Sequence, residues 1–281
     1  MKLMRVGARG AEKPAILAAD GTIRDLSAHV ADIGGAAIGP DGLAKIAAID
    51  TASLPVVPAD TRIGACVAGT GKFICIGLNY SDHAAETGAT VPPEPIIFMK
   101  ATSAIAGAND DVLIPRGSEK TDWEVELAVI IGKTAKYVSE DEALDYVAGY
   151  AVSDDVSERA FQTERHGQWT KGKSCDTFGP IGPWLVTKDE IADPQNLKMW
   201  LTVNGQKMQD GSTTTMVYGV KYLVSYLSQF MSLHPGDIIS TGTPPGVGMG
   251  LKPPRYLKPG DVVQLGIEGL GTQKQTFKAD A

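Results

Sequence analysis

The stretch Asp122-Trp123-Glu124-Val125-Glu126-Leu127 leads without a break into Ala128-Val129-Ile130-Ile131. Side chains alternate faces along a strand, so Asp122, Glu124 and Glu126 are predicted on one face and Trp123, Val125 and Leu127 on the other. Taken alone, the alternation reads as a half-exposed strand with a solvated acidic face. The apolar run that follows has no polar face to give to water, so this strand is expected to enter a core. Two carboxylates held together there repel, and both stay ionised only with a cation between them. Hard oxygen donors suit Mg2+, Mn2+ or Ca2+ rather than zinc. A third ligand has to come from elsewhere in the chain.

The remaining pattern predicts a strand-rich α+β protein rather than a regular βαβ alternation. Among 281 residues, 32 glycines and 17 prolines favour many turns and short strands over long helices. Strands are predicted at 3–6, 15–17, 73–76, 96–99, 123–131, 148–152, 237–241 and 261–267. The clearest hairpin joins 200–203 to 206–208 through Asn204-Gly205. Helices are predicted at 141–148 and 217–229, with one or more helical turns in 155–165. The stretch Leu54-Pro55-Val56-Val57-Pro58 reads as a linker, dividing a small N-terminal domain, 1–65, from a larger one, 66–281.

Acidic residues outnumber basic ones, 33 to 26, for a net charge of −7. General charge therefore does not favour nucleic acid or an anionic membrane as partner. No apolar run approaches the ~18 residues of a membrane span. The first residues, Met-Lys-Leu-Met-Arg-Val-Gly, lack the apolar centre of a secretory signal. Cys66, Cys75 and Cys175 include no Cys-x-x-Cys pair, which argues against a disulfide framework or structural zinc and fits a reducing compartment. A cytoplasmic protein is the expectation.

Three further clusters are candidates for chemistry. Asp154-Asp155-Val156-Ser157-Glu158-Arg159 is the place to seek the third ligand, although Asp155 with Glu158 also reads as a helix capping box. In Gly77-Leu78-Asn79-Tyr80-Ser81-Asp82-His83-Ala84-Ala85-Glu86, a helix after Asn79 would put His83 and Glu86 on one face. An imidazole oriented by a carboxylate can activate water; an ordinary surface helix start is the alternative. Lys171 and Lys173 lie in a small polar loop, where either is a solvated charge or a partner for an anionic substrate oxygen. Cys175, with no histidine nearby in sequence, reads as packing. His29 and His166 have no partner at useful spacing, and His234 sits in a Pro-Gly turn. The loop Ser240-Thr241-Gly242-Thr243-Pro244-Pro245-Gly246 lacks the order of a phosphate loop. No Gly-x-Gly-x-x-Gly follows a strand, which disfavours a nicotinamide dehydrogenase.

The order of these motifs resembles the fumarylacetoacetate hydrolase family. The resemblance runs from about residue 70 to the end, through Gly-Leu-Asn-Tyr-x-x-His-x-x-Glu (77–86), Phe-Met-Lys (98–100), Trp-Glu-Val-Glu-Leu (123–127), Gly-Tyr-x-Val-x-Asp-Asp-Val-Ser (149–157), Lys-Ser-x-Asp-Thr-Phe-Gly-Pro (173–180) and Pro-Gly-Asp-x-Ile-x-Thr-Gly-Thr-Pro-x-Gly-Val-Gly (235–248). It implies a catalytic domain built as a mixed β-roll behind a small N-terminal domain, usually in a homodimer. It implies a divalent metal, commonly Mg2+, on Glu124, Glu126 and Asp155. By the same resemblance His83 and Glu86 are the water-activating pair, and Lys173, not Lys171, faces the substrate. Arg159, Gln162 and Thr243 match substrate-contacting positions, as does Lys100.

The implied activity is hydrolytic C–C cleavage of a small anionic β-diketo acid, of acylpyruvate or 2,4-diketo-3-deoxy sugar-acid type. Oxaloacetate decarboxylation and ureidoglycolate lyase chemistry are alternatives on the same metal site, and a degenerate binding protein is a third. Departures from the family pattern surround the site. Asp154 stands where Asn is frequent, Glu158 and Ala160 flank Arg159 in place of Ala and Asp, and Cys175 replaces a common Phe. The stretch 251–258 resembles a bacterial branch often labelled ureidoglycolate lyase, some members of which act on diketo-deoxy sugar acids.

Overall fold

The computed structural model describes residues 1–82 and 92–280. Strands β1 (Lys2–Val6), β2 (Lys13–Leu17) and β3 (Ile23–Asp25) come first, followed by helix α1 (Pro40–Ala47). Next are β4 (Phe73–Gly77), β5 (Ile96–Lys100), β6 (Ile105–Gly107), β7 (Val112–Ile114), β8 (Thr121–Asp122), β9 (Val125–Ile131), β10 (Val147–Asp154) and β11 (Ser157–Glu158). Two short helices follow, α2 (Arg159–Thr163) and α3 (Thr170–Lys173), then β12 (Gly179–Thr187). The hairpin of β13 (Lys198–Val203) and β14 (Gln206–Ser212), helix α4 (Val220–Phe230), β15 (Ile238–Ser240), β16 (Val262–Ile267) and β17 (Gly271–Ala279) complete the described chain.

These strands form mixed sheets, the strand-rich α+β architecture that the sequence predicts. A ten-stranded sheet has the order β3-β2-β1-β12-β10-β9-β15-β4-β5, with β6 alongside β12. A five-stranded sheet has the order β14-β13-β16-β17-β7, and β8 pairs with β11. Strand β9 lies between β10 and β15 and is buried along its whole length. Its odd residues, Val125 to Ile131, join a core closed by Leu201, Leu265 and Phe277 of the smaller sheet and by Leu223 and Leu227 of α4. Its even residues Ala128 and Ile130 join a second core with Leu26, Ile33, Ile38 and Ile46. Covered on both faces, β9 has no solvated side, so Glu124 and Glu126 enter the interior with it.

The N-terminal strands extend the same sheet through the antiparallel pairing of β1 with β12. The segment read as a linker lies along β3, with Val57 N donating to Ile23 O and Asp25 N to Pro55 O. Among the described residues, no helix is long and apolar enough to cross a membrane.

The structure corrects three local expectations. The predicted strand 123–131 starts at Val125, because Asp122 pairs instead with Ser157 in the β8–β11 ladder. The predicted helix 141–148 shrinks to one 3-10 turn at Ala143–Tyr146, since Val147 and Ala148 are claimed by the sheet. The helix expected at 217–229 begins at Val220, because Val217 N and Tyr218 N are bonded to Asn79.

Strand β10 packs tightly on β12 at Gly149, where an added Cβ would stand 2.0 Å from the Val186 carbonyl oxygen. Gly149→Ala should therefore force the two strands apart and destabilise the protein by about 3 kcal/mol. Urea unfolding measures this, and an unchanged midpoint would contradict the close approach.

Candidate metal centre

Strands β9 and β10 run antiparallel, with Glu126 opposite Ser153 and Val125 opposite Asp154. Just beyond the ladder, Glu124 N donates to Asp154 Oδ1 at 3.0 Å, and Asp155 N donates to Glu124 O at 2.9 Å. These bonds lock the two strand ends side by side. Carboxylate oxygens of Glu124, Glu126 and Asp155, 31 positions apart at the extremes, consequently lie within 4.8 Å of one another. All three residues are buried.

Asp155 is not a helix cap. It is extended between β10 and β11, and the cap of α2 is Glu158, whose carboxylate accepts from Ala160 N at 3.0 Å. Asp122 does not join the triad either. Its carboxylate accepts from Gly248 N and Met249 N, fastening the loop after β15, and pairs with Arg159 Nε at 2.9 Å.

Basic side chains surround the triad. Lys173, at the end of α3, places Nζ 2.8 Å from both Glu124 Oε2 and Asp155 Oδ2. Lys171 is exposed and turns back to donate to Arg165 O, so the structure separates the two lysines. Arg159 bridges outward: Nη2 meets Glu124 Oε1 at 2.8 Å, and Nη1 donates to Gln162 Oε1 at 3.1 Å. Lys100 stands behind the triad, 2.6 Å from Asp155 Oδ1, and donates to the carbonyls of Val156 and Lys173. Thr243 donates its hydroxyl to Val125 O and accepts from Gln209 Nε2 at 2.8 Å. Gln209, which accepts from Val125 N and donates to Thr243, is a positioning group that the sequence pattern does not single out; Asp122, grouped by alternation with Glu124 and Glu126, also positions rather than joins the triad. His83 and Glu86 lie outside the described residues.

Charge and burial shift several groups. Burial raises the Glu126 carboxyl well above the usual range, and the nearby Asp155 and Glu124 charges raise it further. Burial alone would depress the Lys173 ammonium, but Asp155 and Glu124 outweigh it and hold its pKa above the ordinary value. Burial pushes Asp154 up to about 7, partly opposed by the bond from Glu124 N.

Glu124, Glu126, Arg159, Gln162, Lys173 and Thr243 line a cavity of about 190 Å3. An all-oxygen, buried triad at this spacing fits a hard divalent cation. The residues that would hold it are Glu124, Glu126 and Asp155. An ion there competes with the Lys173 ammonium for Glu124 and Asp155. Lys173→Met should therefore lower the stability of the metal-free protein and raise its Mn2+ affinity, by about tenfold for each 1.4 kcal/mol of competition removed. Calorimetric titration reads the affinity, and weaker binding by the variant would contradict the competition.

Asp154 gives a pH signature. Its folded pKa lies above the unfolded one, so the folded state holds the extra proton between about pH 4 and 7. The stability this proton supports is complete below the unfolded pKa and is lost as pH rises through about 7. Asp154→Asn keeps the Oδ1 acceptor and removes the titration. Relative to wild type, the metal-free variant should gain about 2 kcal/mol between pH 5 and 7.5, measured by denaturant unfolding. A constant difference across that range would contradict the assignment.

Comparisons with known proteins bear on the family and the fold. A family model described as fumarylacetoacetate (FAA) hydrolase, C-terminal, matches residues 72–278. A Burkholderia multivorans relative, named only provisionally as a hydrolase, is 62% identical over 280 residues, covering 99% of each chain. The fumarylacetoacetate hydrolase structure from Exiguobacterium antarcticum is 35% identical with a TM-score of 0.86, and covers all of both chains. A maleylpyruvate hydrolase from Sphingobium sp. SYK-6, solved with manganese(II) and pyruvate, is 28% identical with a TM-score of 0.83 over the full length of both. Strand order, buried oxygen triad and matched sequence converge, and the chain belongs to the fumarylacetoacetate hydrolase family.

Proposed function

We propose that this protein is a metal-dependent hydrolase that cleaves a C–C bond in a small β-diketo acid of acylpyruvate or 2,4-diketo-3-deoxy sugar-acid type. The observation that carries the reading is the buried triad Glu124, Glu126 and Asp155, of which Glu124 and Glu126 line a cavity together with Lys173 and Arg159. Further support comes from the family, and from the relative whose structure holds manganese and pyruvate.

Glu124, Glu126 and Asp155 would hold a divalent ion, Mg2+ or Mn2+, which would supply Lewis-acid polarisation of a 2-oxo acid. Lys173, whose ammonium lies 2.8 Å from Glu124 and Asp155, would be freed by an ion on the triad to face the substrate's oxygens. It then stabilises the negative charge that develops on the departing pyruvyl fragment, the point at which a preorganised cation contributes most. Arg159, held by Asp122 and Glu124, fixes one wall, and Gln162 and Thr243 orient the substrate. With Val125 O taking the Thr243 proton and Gln209 one lone pair, Thr243 meets the substrate as an acceptor. Lys100 keeps Asp155 and the α3 end in place. His83, with Glu86 as its partner, would take a proton from the water that adds to the distal carbonyl; the C–C bond then breaks and the pyruvyl carbanion takes that proton back.

Acylpyruvate turnover should fall to background after exhaustive EDTA treatment and return with Mg2+ or Mn2+. Full activity without metal would defeat the mechanism. Product analysis separates the alternatives on the same site: an acid plus pyruvate for the hydrolase, CO2 plus pyruvate for oxaloacetate decarboxylation, urea plus glyoxylate for a ureidoglycolate lyase. Glu124→Gln should lower kcat by at least about a hundredfold and weaken Mn2+ binding. Unaltered binding would show that Glu124 is not a ligand.

A further inference from the structure

The cavity has two unlike ends. At one end Lys173 Nζ contacts the triad and also lies 5.0 Å from the Phe98 ring centre. Phe98 meets Trp169 edge to face at 5.3 Å. Trp169 packs on Gly77 so closely that a Cβ there would come within 2.5 Å of its ring. Leu78 follows Gly77 and also lines the cavity. The contacts therefore run from charge to hydrocarbon, from the triad through Lys173, Phe98 and Trp169 to Gly77, beside which Leu78 lines the cavity.

Leu78 is held in an unfavourable backbone state. Its φ is +53°, a left-handed value that a branched aliphatic residue seldom adopts. Asn79 enforces it. The Asn79 amide donates to Tyr218 O at 3.0 Å and Thr241 O at 2.7 Å, and its Oδ1 accepts from Tyr218 N at 2.8 Å. Strain of this kind persists only where the surroundings over-determine it, and it collects at ligand sites. Among the described lining residues the cations are Arg159 and Lys173, both already paired with carboxylates. The hydrocarbon end offers no described cation for a second carboxylate.

We propose that Leu78, Phe98 and Trp169 select the part of the substrate directed away from the triad, and that this part is an uncharged alkyl chain or single ring. The inference rests on the reading of the charged end as a 2-oxo acid site. It narrows the substrate class to acylpyruvates with an apolar acyl group, over polyhydroxylated and dicarboxylate members. A volume of about 190 Å3 holds on the order of a dozen water-sized groups. Once a pyruvyl head is placed, a short chain or one ring fills the remainder.

The test is calorimetric titration of the Mg2+-loaded protein with unreactive 2-oxo acids: pyruvate, 2-oxobutanoate, 2-oxohexanoate and the carboxylate-ended 2-oxoadipate. Affinity should rise about fourfold per added methylene until the wall is covered, and 2-oxoadipate should lose that gain. Leu78→Asn keeps a residue that tolerates the left-handed backbone and should flatten the chain-length dependence. Trp169→Leu, checked for folding by circular dichroism, should do the same by a second route. A flat dependence in wild type, or 2-oxoadipate binding as tightly as 2-oxohexanoate, would overturn the proposal. Turnover of butanoylpyruvate is measured in parallel. No cleavage with an intact chain-length dependence sinks the hydrolase reading and leaves the apolar selector standing. Cleavage with a flat dependence does the reverse, and failure of every 2-oxo acid to bind removes both.

Discussion

Concentrated negative charge out of water is the constraint that organises this protein. Asp122, Glu124, Glu126 and Asp155 are buried within one neighbourhood, and Lys100, Arg159 and Lys173 are buried with them. Removing such ions from water costs several kcal/mol each, and mutual attraction offsets this only with close geometry. The distances are close: 2.6 Å from Lys100 to Asp155, and 2.8 Å from Lys173 to two carboxylates and from Arg159 to Glu124. Glu126 is the member without such a partner. Gly242 N donates to it at 2.9 Å, and burial raises its carboxyl well above the ordinary range. A divalent ion would remove that imbalance.

The fold delivers these groups through a few rigid relationships. Apolar cores on both faces of β9 leave its acidic start exposed only to the cavity. The β9–β10 register sets Glu124 beside Asp154 and Asp155. The two short helices after β11 then bring Arg159 and Lys173 over the triad from the same short stretch of chain. Asn79 and Gln209 perform parallel tasks at the cavity rim, one fixing the strained Leu78 and the other fixing Thr243. Neither touches the triad, yet each sets where a lining side chain stands.

Much of the site was legible in the sequence because strand geometry is local. Glu124 and Glu126 share a face by alternation, and the apolar run after them signals a buried strand. The ordered motifs supplied Asp155, Arg159 and Lys173 by resemblance. The errors also have local causes. Asp122 fits the same alternation but is drawn out of register by β11, and Asp155 with Glu158 fits a capping box that a two-residue strand displaces. The stretch 141–148 has a helical composition, but Val147 and Ala148 gain more from the central sheet than from a short isolated helix. Leu78, Trp169 and Gln209 carried no signal, since their roles depend on what lies across the cavity from them.

The sequence by itself determined the strand-rich class, the carboxylate pair and the family, because these rest on periodicity and on the order of motifs along the chain. Tertiary structure alone decided that Asp122 stays structural, that Lys100 stands behind the triad, and that the cavity grades from ionic to hydrocarbon. Those are properties of distance and desolvation between remote segments, and neither quantity exists until the sheets have closed around them.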